Sequence, residues 1–286
     1  MKIVVTGALG HIGSSLIRTL PDRFPNAEIV MVDNLSTQRY CSMFNLPPHG
    51  RYRFIEADIL TADLNSIFAD AAVIVHLAAI TNAEGSFKIH EKVEQTNFVG
   101  TERVAQACIK TGAALIFLST TSVYGTQAEV VNEECSQEEL KPQSPYAESK
   151  LRTERLLRQL GKEQGLQFII CRFGTIFGAS IGMRFHTAVN KFIWQACAGI
   201  PLTIWTSALD QKRPYLDLED AVRALHFIIE NKLFDGQIYN VLTVNATVRE
   251  VVTTIKEFVT DVQISLVDHQ IMNQLSYTVA CSKFVE

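Results

Sequence analysis

Tyr146 and Lys150 are the residues whose types and spacing most directly indicate chemistry. They form Y-x-x-x-K in the stretch SPYAESK, where a helical pattern over residues 146–164 begins. Residues four apart lie about one turn apart on the same face of a helix. A tyrosine ionises near pH ~10, and a nearby ammonium group favours its phenolate form. Tyr146 could therefore act as a general base on a hydroxyl group.

A polar cluster, LSTTSVYG at residues 118–125, precedes this pair at the end of a predicted strand. Thr120 in this cluster could hydrogen-bond the oxygen from which Tyr146 takes a proton and hold it in line. The same Y-x-x-x-K spacing also occurs on ordinary solvated helix faces. The strand-end cluster, together with a glycine-rich turn near the N-terminus, favours the catalytic interpretation.

Gly7, Gly10 and Gly13 stand three residues apart in VVTGALGHIG, between an apolar run and a helical pattern over residues 14–20. Glycines at such a junction let a ligand approach the backbone, and the N–H groups of the helix N-terminus stabilise a pyrophosphate. Asp33 ends the next strand, where its carboxylate would bind the adenosine ribose and repel a 2′-phosphate. The pattern favours NAD over NADP. The alternative is a structural turn followed by an ordinary surface aspartate.

Two later strand ends fit the same nucleotide pocket. Asp58 and Ile59 end the third strand, where an aspartate can meet an adenine amino group. The stretch HLAA at residues 76–79 ends the fourth, and its small side chains let a cofactor lie close. His76 itself is predicted to be a packed strand histidine. Tyr146 would then take a proton from a substrate hydroxyl as hydride leaves the same carbon for NAD.

The elements that must position these residues alternate between short β-branched runs and amphipathic stretches. Strands that are apolar on both faces, separated by helices, indicate a parallel sheet that is covered on both sides. We therefore predict a doubly wound α/β domain of the Rossmann type. The predicted strands are residues 2–7, 28–33, 51–59, 72–79, 114–120 and 167–174, and the predicted helices are 14–20, 64–69, 93–111 and 146–164.

From about residue 178 this alternation loosens. Helical patterns at 189–198, 218–231 and 248–258 are joined by short strands such as 202–205 and 238–241. We predict a NAD-binding domain over residues 1–177 and a smaller, mainly substrate-binding α/β subdomain over 178–286. The substrate would lie in the cleft between the two, since ligands of open parallel sheets bind beyond the carboxyl ends of the strands.

The length and composition suit one large α/β domain, or a large domain that carries a smaller one. The chain has 286 residues, 47% of them hydrophobic, which is enough to bury a substantial core. A formal net charge of -4, with no long run of Lys or Arg, argues against nucleic acid as a partner.

The cysteines and the apolar runs bear on the compartment. The six cysteines lie far apart, without a C-x-x-C pair or zinc-site spacing, so we expect no metal site and reduced, mostly buried thiols. The first predicted strand begins at Lys2, which leaves no room for a signal peptide, and the apolar stretch 71–80 is too short to span a bilayer. We expect a cytoplasmic protein without a membrane partner.

Motifs along nearly the whole chain resemble those of the extended short-chain dehydrogenase/reductases, in particular their NAD-dependent nucleotide-sugar epimerase/dehydratase group, which includes UDP-glucose 4-epimerase. Each motif alone is weak, whereas the set in family order is specific. The set comprises Gly7, Gly10, Gly13, Asp33, Asp58, HLAA, Asn97 in TNFVGT, STTSVYG, SPYAESK, CRFGTIFG and KRPYLDLEDAVRAL.

The resemblance implies roles for individual residues. Tyr146 would be the catalytic base, Lys150 would hold the nicotinamide ribose, and Thr120 occupies the family's catalytic Ser/Thr position. Thr81 and Asn97 would lie near the cofactor. The full predicted cofactor site is Gly7, Gly10, His11, Ile12, Gly13, Asp33, Asn34, Asp58, Ile59, Leu77, Ala78, Ala79, Thr81, Asn97, Tyr146, Lys150 and Phe173.

Arg213 would contact the diphosphate of a sugar nucleotide, according to the same resemblance. An arginine before PYLDLED also suits this role independently, because a guanidinium binds two phosphate oxygens at once. The alternative is a surface salt bridge with Asp217 or Asp220. The other predicted substrate-binding residues are Thr121, Ser122 and Thr175.

Departures from the family pattern bear on the reaction. The 4,6-dehydratases of the group carry an acidic pair after the catalytic threonine, whereas this chain has Thr121 and Ser122. A hydroxyl is a poor proton donor or acceptor at neutral pH, which disfavours dehydration. Thr175 stands where many relatives have an asparagine that contacts the substrate. The sequence ends three residues after YTVACSK, so we expect the family's C-terminal segment to be incomplete.

The resemblance therefore predicts a NAD-dependent nucleotide-sugar epimerase, a 4-epimerase that acts through a transient 4-keto sugar. The alternatives are an oxidoreductase or decarboxylase of the same family, and a non-catalytic dinucleotide-binding sensor. The partner would be a nucleotide-diphosphate sugar. A homodimer would form through residues 93–111 and 146–164, whose apolar side chains could equally face the sheet. Arg184 and His186 lie in the unusual loop GASIGMRFHTAVN, which could select the substrate; they could meet a sugar or phosphate there, but they are interpreted as exposed loop residues.

Overall fold

Strands and helices alternate along the computed structural model, which describes residues 1–83, 85–125, 130–136, 138–268 and 276–285. The strands are β1 (Lys2–Thr6), β2 (Glu28–Asp33), β3 (Arg51–Glu56), β4 (Val73–His76), β5 (Ala114–Thr120), β6 (Val130–Val131), β7 (Phe168–Phe173), β8 (Thr175–Phe177), β9 (Leu202–Trp205), β10 (Lys212–Asp217), β11 (Ile238–Val241), β12 (Val244–Thr247), β13 (Ile264–Val267) and β14 (Thr278–Val279). The helices are α1 (His11–Arg23), α2 (Leu64–Phe68), α3 (His90–Val93), α4 (Gly100–Thr111), α5 (Pro145–Gln164), α6 (Ala188–Cys197), α7 (Leu218–Asn231), α8 (Val248–Phe258) and α9 (Ser282–Val285).

Within the described residues, seven strands form one sheet in the order β11-β7-β5-β4-β1-β2-β3, and each neighbouring pair is parallel. Successive side chains of β1 enter opposite cores, because the side-chain period of a strand is two. Ile3 and Val5 pack with α1 and α7, whereas Val4 packs with α4 and α5. The sheet is therefore covered on both faces, which confirms the doubly wound α/β prediction.

The sequence at the start of α5 explains why this helix begins where it does. The Ser144 Oγ accepts a hydrogen bond from the Ala147 backbone N–H at 3.2 Å, which caps the first turn. Pro145 follows as the first helical residue, where a missing N–H costs nothing. Tyr146 and Lys150 therefore lie in the first two turns of a 20-residue helix, beside the end of β5.

Two C-terminal elements, α7 and β11, belong to the large sheet and its cover, which corrects one expectation. Residues 218–231 and 238–241 were expected in the smaller subdomain, but α7 packs against α1 and β11 pairs with β7. A four-residue strand such as IYNV does not encode which sheet it joins, so the local pattern could not place β11. A three-stranded sheet (β12-β10-β8) and the pair β13-β9, with α6 and α8, form the remaining smaller unit. The boundary at residue 177 stays a prediction.

All six cysteines are unpaired thiols, but they are not mostly buried as expected. Only Cys108 and Cys171 are buried, and both lie in the cores of the large sheet. Cys41 and Cys197 are exposed, because the first lies in a surface turn and the second at the end of the amphipathic helix α6.

Candidate active site

A cavity of about 600 Å³ opens at the carboxyl ends of β1, β4, β5 and β7. This is the edge at which ligands of doubly wound sheets bind. The wall brings together the predicted catalytic residues and much of the predicted cofactor and substrate sites. The predicted residues on it are Gly7, Gly10, His11, Ile12, Gly13, Leu77, Ala79, Thr81, Thr120, Ser122, Tyr146, Lys150, Phe173, Thr175 and Arg213.

The glycine-rich turn between β1 and α1 leaves space that side chains would fill. Gly7 has a φ of +66°, and a Cβ there would lie 2.6 Å from the Ala78 backbone nitrogen. A Cβ on Gly13 would lie 2.5 Å from the Gly7 carbonyl oxygen. Gly10 precedes α1 and offers no capping side chain to its first N–H groups. This cradle fits the pyrophosphate of a dinucleotide.

Two aspartates beyond the ends of β2 and β3 are held by backbone and side-chain hydrogen bonds. The Asp33 carboxylate accepts from the Leu9 N–H at 3.1 Å and from the Leu35 N–H at 2.9 Å, which fixes it beside the glycine-rich turn. The Asp58 carboxylate accepts from the Asn34 amide at 3.0 Å. Asp33 and Asp58, which the sequence assigns to the adenosine half of the cofactor, therefore lie close to one another.

His76 at the end of β4 has both ring nitrogens engaged. Nδ1 lies 2.7 Å from the Thr6 hydroxyl, and Nε2 lies 3.0 Å from the Thr101 hydroxyl. Burial, with a contribution from the Lys150 charge, lowers the pKa of His76 to about 3. The ring is neutral at physiological pH and is 2% exposed, which confirms a packed strand histidine.

The predicted catalytic residues meet where α5 passes the end of β5. The Thr120 hydroxyl faces the Tyr146 phenol on the cavity wall and lowers its pKa, and it accepts a hydrogen bond from the Ser122 N–H at 3.1 Å. The Lys150 Nζ donates to the Leu118 carbonyl oxygen at 2.7 Å and lies 4.5 Å from the centre of the Phe117 ring. Burial lowers the pKa of Lys150 to about 7. The Lys150 ammonium thus binds the strand that carries Thr120.

The electrostatics of Tyr146 differ from those expected. Burial raises its pKa, and the groups that oppose this effect are the Arg184 guanidinium and the Thr120 hydroxyl. From the sequence, the Lys150 ammonium was expected to lower the pKa of Tyr146. The protein alone therefore holds Tyr146 as a neutral phenol, with Arg184 as the cation that favours the phenolate.

The predicted substrate residues divide into two groups. Thr175, Ser122 and Arg213 lie on the cavity wall, and burial lowers the pKa of Arg213. Asp217, one of the alternative ion-pair partners of Arg213, caps α7 by accepting from the Glu219 N–H at 2.8 Å. The other, Asp220, pairs with Arg223 and Thr243.

Seven predicted contact residues are not on the cavity wall: Asp33, Asn34, Asp58, Ile59, Ala78, Asn97 and Thr121. Thr121 is 3% exposed, and its hydroxyl donates to the Phe173 carbonyl oxygen at 3.4 Å. Ile59 packs in the core with α4. Asn97 lies in the π-helical stretch Glu94–Val99, where its amide bonds the Ile80 N–H and carbonyl at 2.8 and 2.9 Å. Asn97 therefore fixes the backbone of the loop after β4. The wider turn of the π-helical stretch places its side chain within reach of that loop.

The sequence marks residues 178–190 as an unusual loop but does not place it; its first part, residues 178–187, is here called the covering segment. It folds over the glycine-rich turn: the Gly182 N–H donates to the Ser14 hydroxyl at 2.9 Å, and His11 Nε2 donates to the Gly178 carbonyl at 2.9 Å. Arg184 on this segment contacts the Thr81 hydroxyl and lines the cavity with His186. The interpretation of Arg184 as an exposed loop residue is therefore wrong.

The sequence and the fold of this chain are both similar to those of known proteins. The model of the NAD dependent epimerase/dehydratase family matches residues 3–241. The uncharacterized UDP-glucose epimerase YtcB of Bacillus subtilis (strain 168) is 32% identical over 84% of this chain and 76% of its own length. The trifunctional UDP-glucose 4,6-dehydratase/UDP-4-keto-6-deoxy-D-glucose 3,5-epimerase/UDP-4-keto-L-rhamnose-reductase RHM2 of Arabidopsis thaliana is 34% identical over 85% of this chain, which spans 37% of that longer protein.

A solved structure agrees over the whole fold. The UDP-glucuronic acid 4-epimerase from Bacillus cereus, in complex with UDP-glucuronic acid and NAD, superposes with a TM-score of 0.90 and 27% sequence identity. The match covers 99% of this chain and 91% of that chain. The motifs, the cradle and these matches agree. The chain belongs to the NAD-dependent epimerase/dehydratase family.

Proposed function

We propose that this protein is a NAD-dependent nucleotide-sugar 4-epimerase that acts through a transient 4-keto sugar. The observation that carries the proposal is that Thr120, Tyr146 and Lys150 line the same cavity as the glycine cradle. A base is thus positioned beside the place where the family's cofactor binds. The fit of that cradle to a pyrophosphate supports NAD as the bound group.

Each residue has a defined task in this reaction. Bound NAD supplies reversible acceptance of a hydride from C4 of the sugar. In its phenolate form, which the Arg184 guanidinium favours, Tyr146 takes the proton of the 4-hydroxyl, and it returns the proton to the same oxygen after the keto sugar has rotated to present its other face. Thr120 hydrogen-bonds that oxygen and holds it in line with Tyr146. Gly7, Gly13 and Asp33 bind the cofactor, which stays in place because each cycle regenerates it.

The residues after Thr120 favour epimerisation over dehydration. Dehydration needs one group that removes a sugar proton and another that protonates a leaving hydroxyl. Thr121 is buried against the Phe173 backbone, and Ser122 offers a hydroxyl that does not ionise near neutral pH. These positions therefore supply no acid or base for that route, although the dehydratase relatives share the fold.

A uridine diphosphate sugar is the proposed substrate class. The names of the Bacillus relatives refer to UDP-glucose and UDP-glucuronic acid. Arg213, which is partly buried on the cavity wall, would bind the diphosphate.

The test is incubation of the purified protein with UDP-glucose, UDP-glucuronic acid and UDP-N-acetylglucosamine, each carrying deuterium at C4. We expect one of them to give its C4 epimer with unchanged mass and retained deuterium, as NMR and mass spectrometry would show. NADH accumulation, or loss of carbon dioxide or water, would instead establish an oxidoreductase, a decarboxylase or a dehydratase. A protein that binds NAD and converts none of these sugars, nor other UDP sugars, would support the sensor alternative.

We also propose a cytoplasmic homodimer, on the strength of the family resemblance. Among the apolar residues of these two segments, Val104, Cys108, Leu151 and Leu160 are buried inside the protomer, so the contact would use the outer surfaces of α4 and α5. Analytical ultracentrifugation that shows only a monomer at micromolar concentration would contradict the dimer. Among the described residues, no helix has the length and apolar composition that crossing a bilayer needs.

A further inference from the structure

Three successive residues at the end of β5 each face one residue on the same side of α5. Leu118 is hydrogen-bonded to Lys150 and Ser119 to Glu154, and Thr120 faces Tyr146 across the cavity wall. Tyr146, Lys150 and Glu154 are four residues apart, so they lie one turn after another along the helix. Two of these three positions belong to the proposed catalytic set, whereas nothing assigns a role to Glu154.

Both carboxylate oxygens of Glu154 accept hydrogen bonds from side chains of the sheet. Its Oε1 accepts from the Ser119 hydroxyl at 2.5 Å and from the Arg172 Nε at 3.0 Å, and its Oε2 accepts from the Arg172 Nη2 at 2.6 Å. Both side chains of the ion pair are 2% exposed. Arg172 lies on β7 directly opposite Ser119 in the register of the sheet. The carboxylate therefore joins α5, β5 and β7 at the residue before Thr120.

The same carboxylate supplies negative charge near Lys150. The Lys150 ammonium is buried between the Leu118 carbonyl and the Phe117 ring, and neither group carries a formal charge. The titratable groups that face it are His76 from β4 and Tyr146 and Glu154 from its own helix. Burial lowers the pKa of Lys150 to about 7, and the Glu154 charge opposes that effect.

We propose that Glu154 is a positioning residue for the reaction, with two connected tasks. Through Ser119 it fixes the end of the strand that presents Thr120, and through its charge it keeps the neighbouring Lys150 cationic. Arg172 holds Glu154 in the geometry that serves both. This inference rests on the proposed function, because the reaction is what the positioning serves.

The first test follows the lysine itself and needs no activity. Glu154→Gln keeps an acceptor oxygen for Ser119 but removes the charge, and Arg172→Met in the same protein avoids a buried unpaired guanidinium. In cofactor-free protein with ¹³C-labelled lysine, we expect the NMR titration midpoint of Lys150 to fall by about one pH unit or more in this double variant. Loss of the signal in Lys150→Met assigns it.

Two further variants separate the two tasks. Glu163→Gln removes an exposed carboxylate from the same helix and should leave the midpoint unchanged. Ser119→Ala breaks the bond to the strand but keeps the charge, so it should lower kcat by about three- to tenfold without moving the midpoint. Circular dichroism establishes that each variant is folded. If the double variant unfolds, Glu154→Gln with Arg172 retained removes the same charge and gives the same comparison of Lys150 midpoints.

Activity then shows whether the lysine charge matters. Loss of the Lys150 proton should lower kcat as the pH rises. We expect this decline to occur about one pH unit lower in the double variant than in the native enzyme. A Lys150 midpoint that is the same in the double variant and the native protein would overturn the inference. Absence of epimerase activity in the native protein would overturn the proposed function alone, because the NMR titration is read without substrate.

Discussion

The two walls of the cavity differ in how completely their polar groups are paired. On the sheet wall, formed by the ends of β4 and β5 and by α5, both ring nitrogens of His76 and the Lys150 ammonium have partners inside the protein. On the covering segment, in the described part of the chain, Arg184 Nε and Thr187 Oγ1 are buried without a hydrogen-bond partner. The Nδ1 of His11, which that segment contacts, lacks one as well.

This difference separates two tasks of one site. A paired wall holds its atoms in place before any ligand binds, which suits Thr120 and Tyr146 as parts of a preorganised reaction centre. A buried polar atom without a partner costs about 1–3 kcal/mol, and a polar ligand that bonds it removes that cost. The sheet wall therefore positions the chemistry, and the covering segment is the wall on which ligand contacts contribute new hydrogen bonds.

The largest expected effect is on the sheet wall. Tyr146→Phe removes the proton acceptor and leaves the ring, so we expect epimerisation to slow by about 10²- to 10⁴-fold while NAD content and thermal stability stay close to native values. Product formation followed by NMR measures the first, and mass spectrometry of the denatured protein measures the second. Equal turnover of variant and native enzyme would remove Tyr146 from the mechanism.

The glycine cradle should respond to a single methyl group. A Cβ on Gly13 would lie 2.5 Å from the Gly7 carbonyl and 2.6 Å from the Ala8 carbonyl, so Gly13→Ala must move the first turn of α1. Overpacking of this kind costs about 1–3 kcal/mol, and we expect the retained NAD to be lost.

Gly165→Ala is the matched control for the cradle variant. Its φ of +72° also strains an alanine, but a Cβ there meets nothing within 4 Å, at the far end of α5. The control should lose stability and keep its NAD. Similar NAD content in both alanine variants would show that the cradle does not hold the cofactor.

Acid should weaken the sheet wall through His76. Burial places its pKa at about 3, whereas an exposed histidine ionises near 6.5. Between these two pH values the unfolded chain binds a proton that the folded chain does not, so stability falls as the pH drops below about 6.5. At pH ~5 the loss from this residue is about 2 kcal/mol.

Urea unfolding at pH ~7 and at pH ~5 measures how much stability is lost on acidification. The variant His76→Asn should be less stable at neutral pH but should lose about 2 kcal/mol less than the native protein on acidification. An identical loss in both proteins would mean that another group accounts for the acid sensitivity.

The smallest expected effect tests the covering segment. Arg184 is the cation that opposes the raised pKa of Tyr146, so Arg184→Met should raise that pKa further and lower kcat near neutral pH by about tenfold. The rising limb of the pH profile should move to higher pH. Arg184→Lys keeps the charge and should restore most of the native profile. A methionine variant with an unshifted profile would show that Arg184 acts on binding alone.

The sheet wall could be predicted from the sequence and the covering segment could not. Tyr146 and Lys150 are related by helix geometry, and Thr120 ends a recognisable strand, so local rules suffice to place all three. The contact of Arg184 with Thr81 joins residues 103 positions apart, and no local pattern encodes it. The direction of the Lys150 ammonium, toward the Leu118 carbonyl, also depends on how the helix packs on the strand.

The return of the chain to β11 has a consequence for how this protein is made. During synthesis β7 is the outer strand of the large sheet until residues 238–241 have left the ribosome. Helix α1 lacks its partner α7 until residues 218–231 have left it. An unpaired strand edge and an uncovered apolar helix face favour aggregation. We therefore expect a nascent chain that stalls after about residue 177 to depend on chaperones, although it already contains the glycines, Thr120, Tyr146 and Lys150.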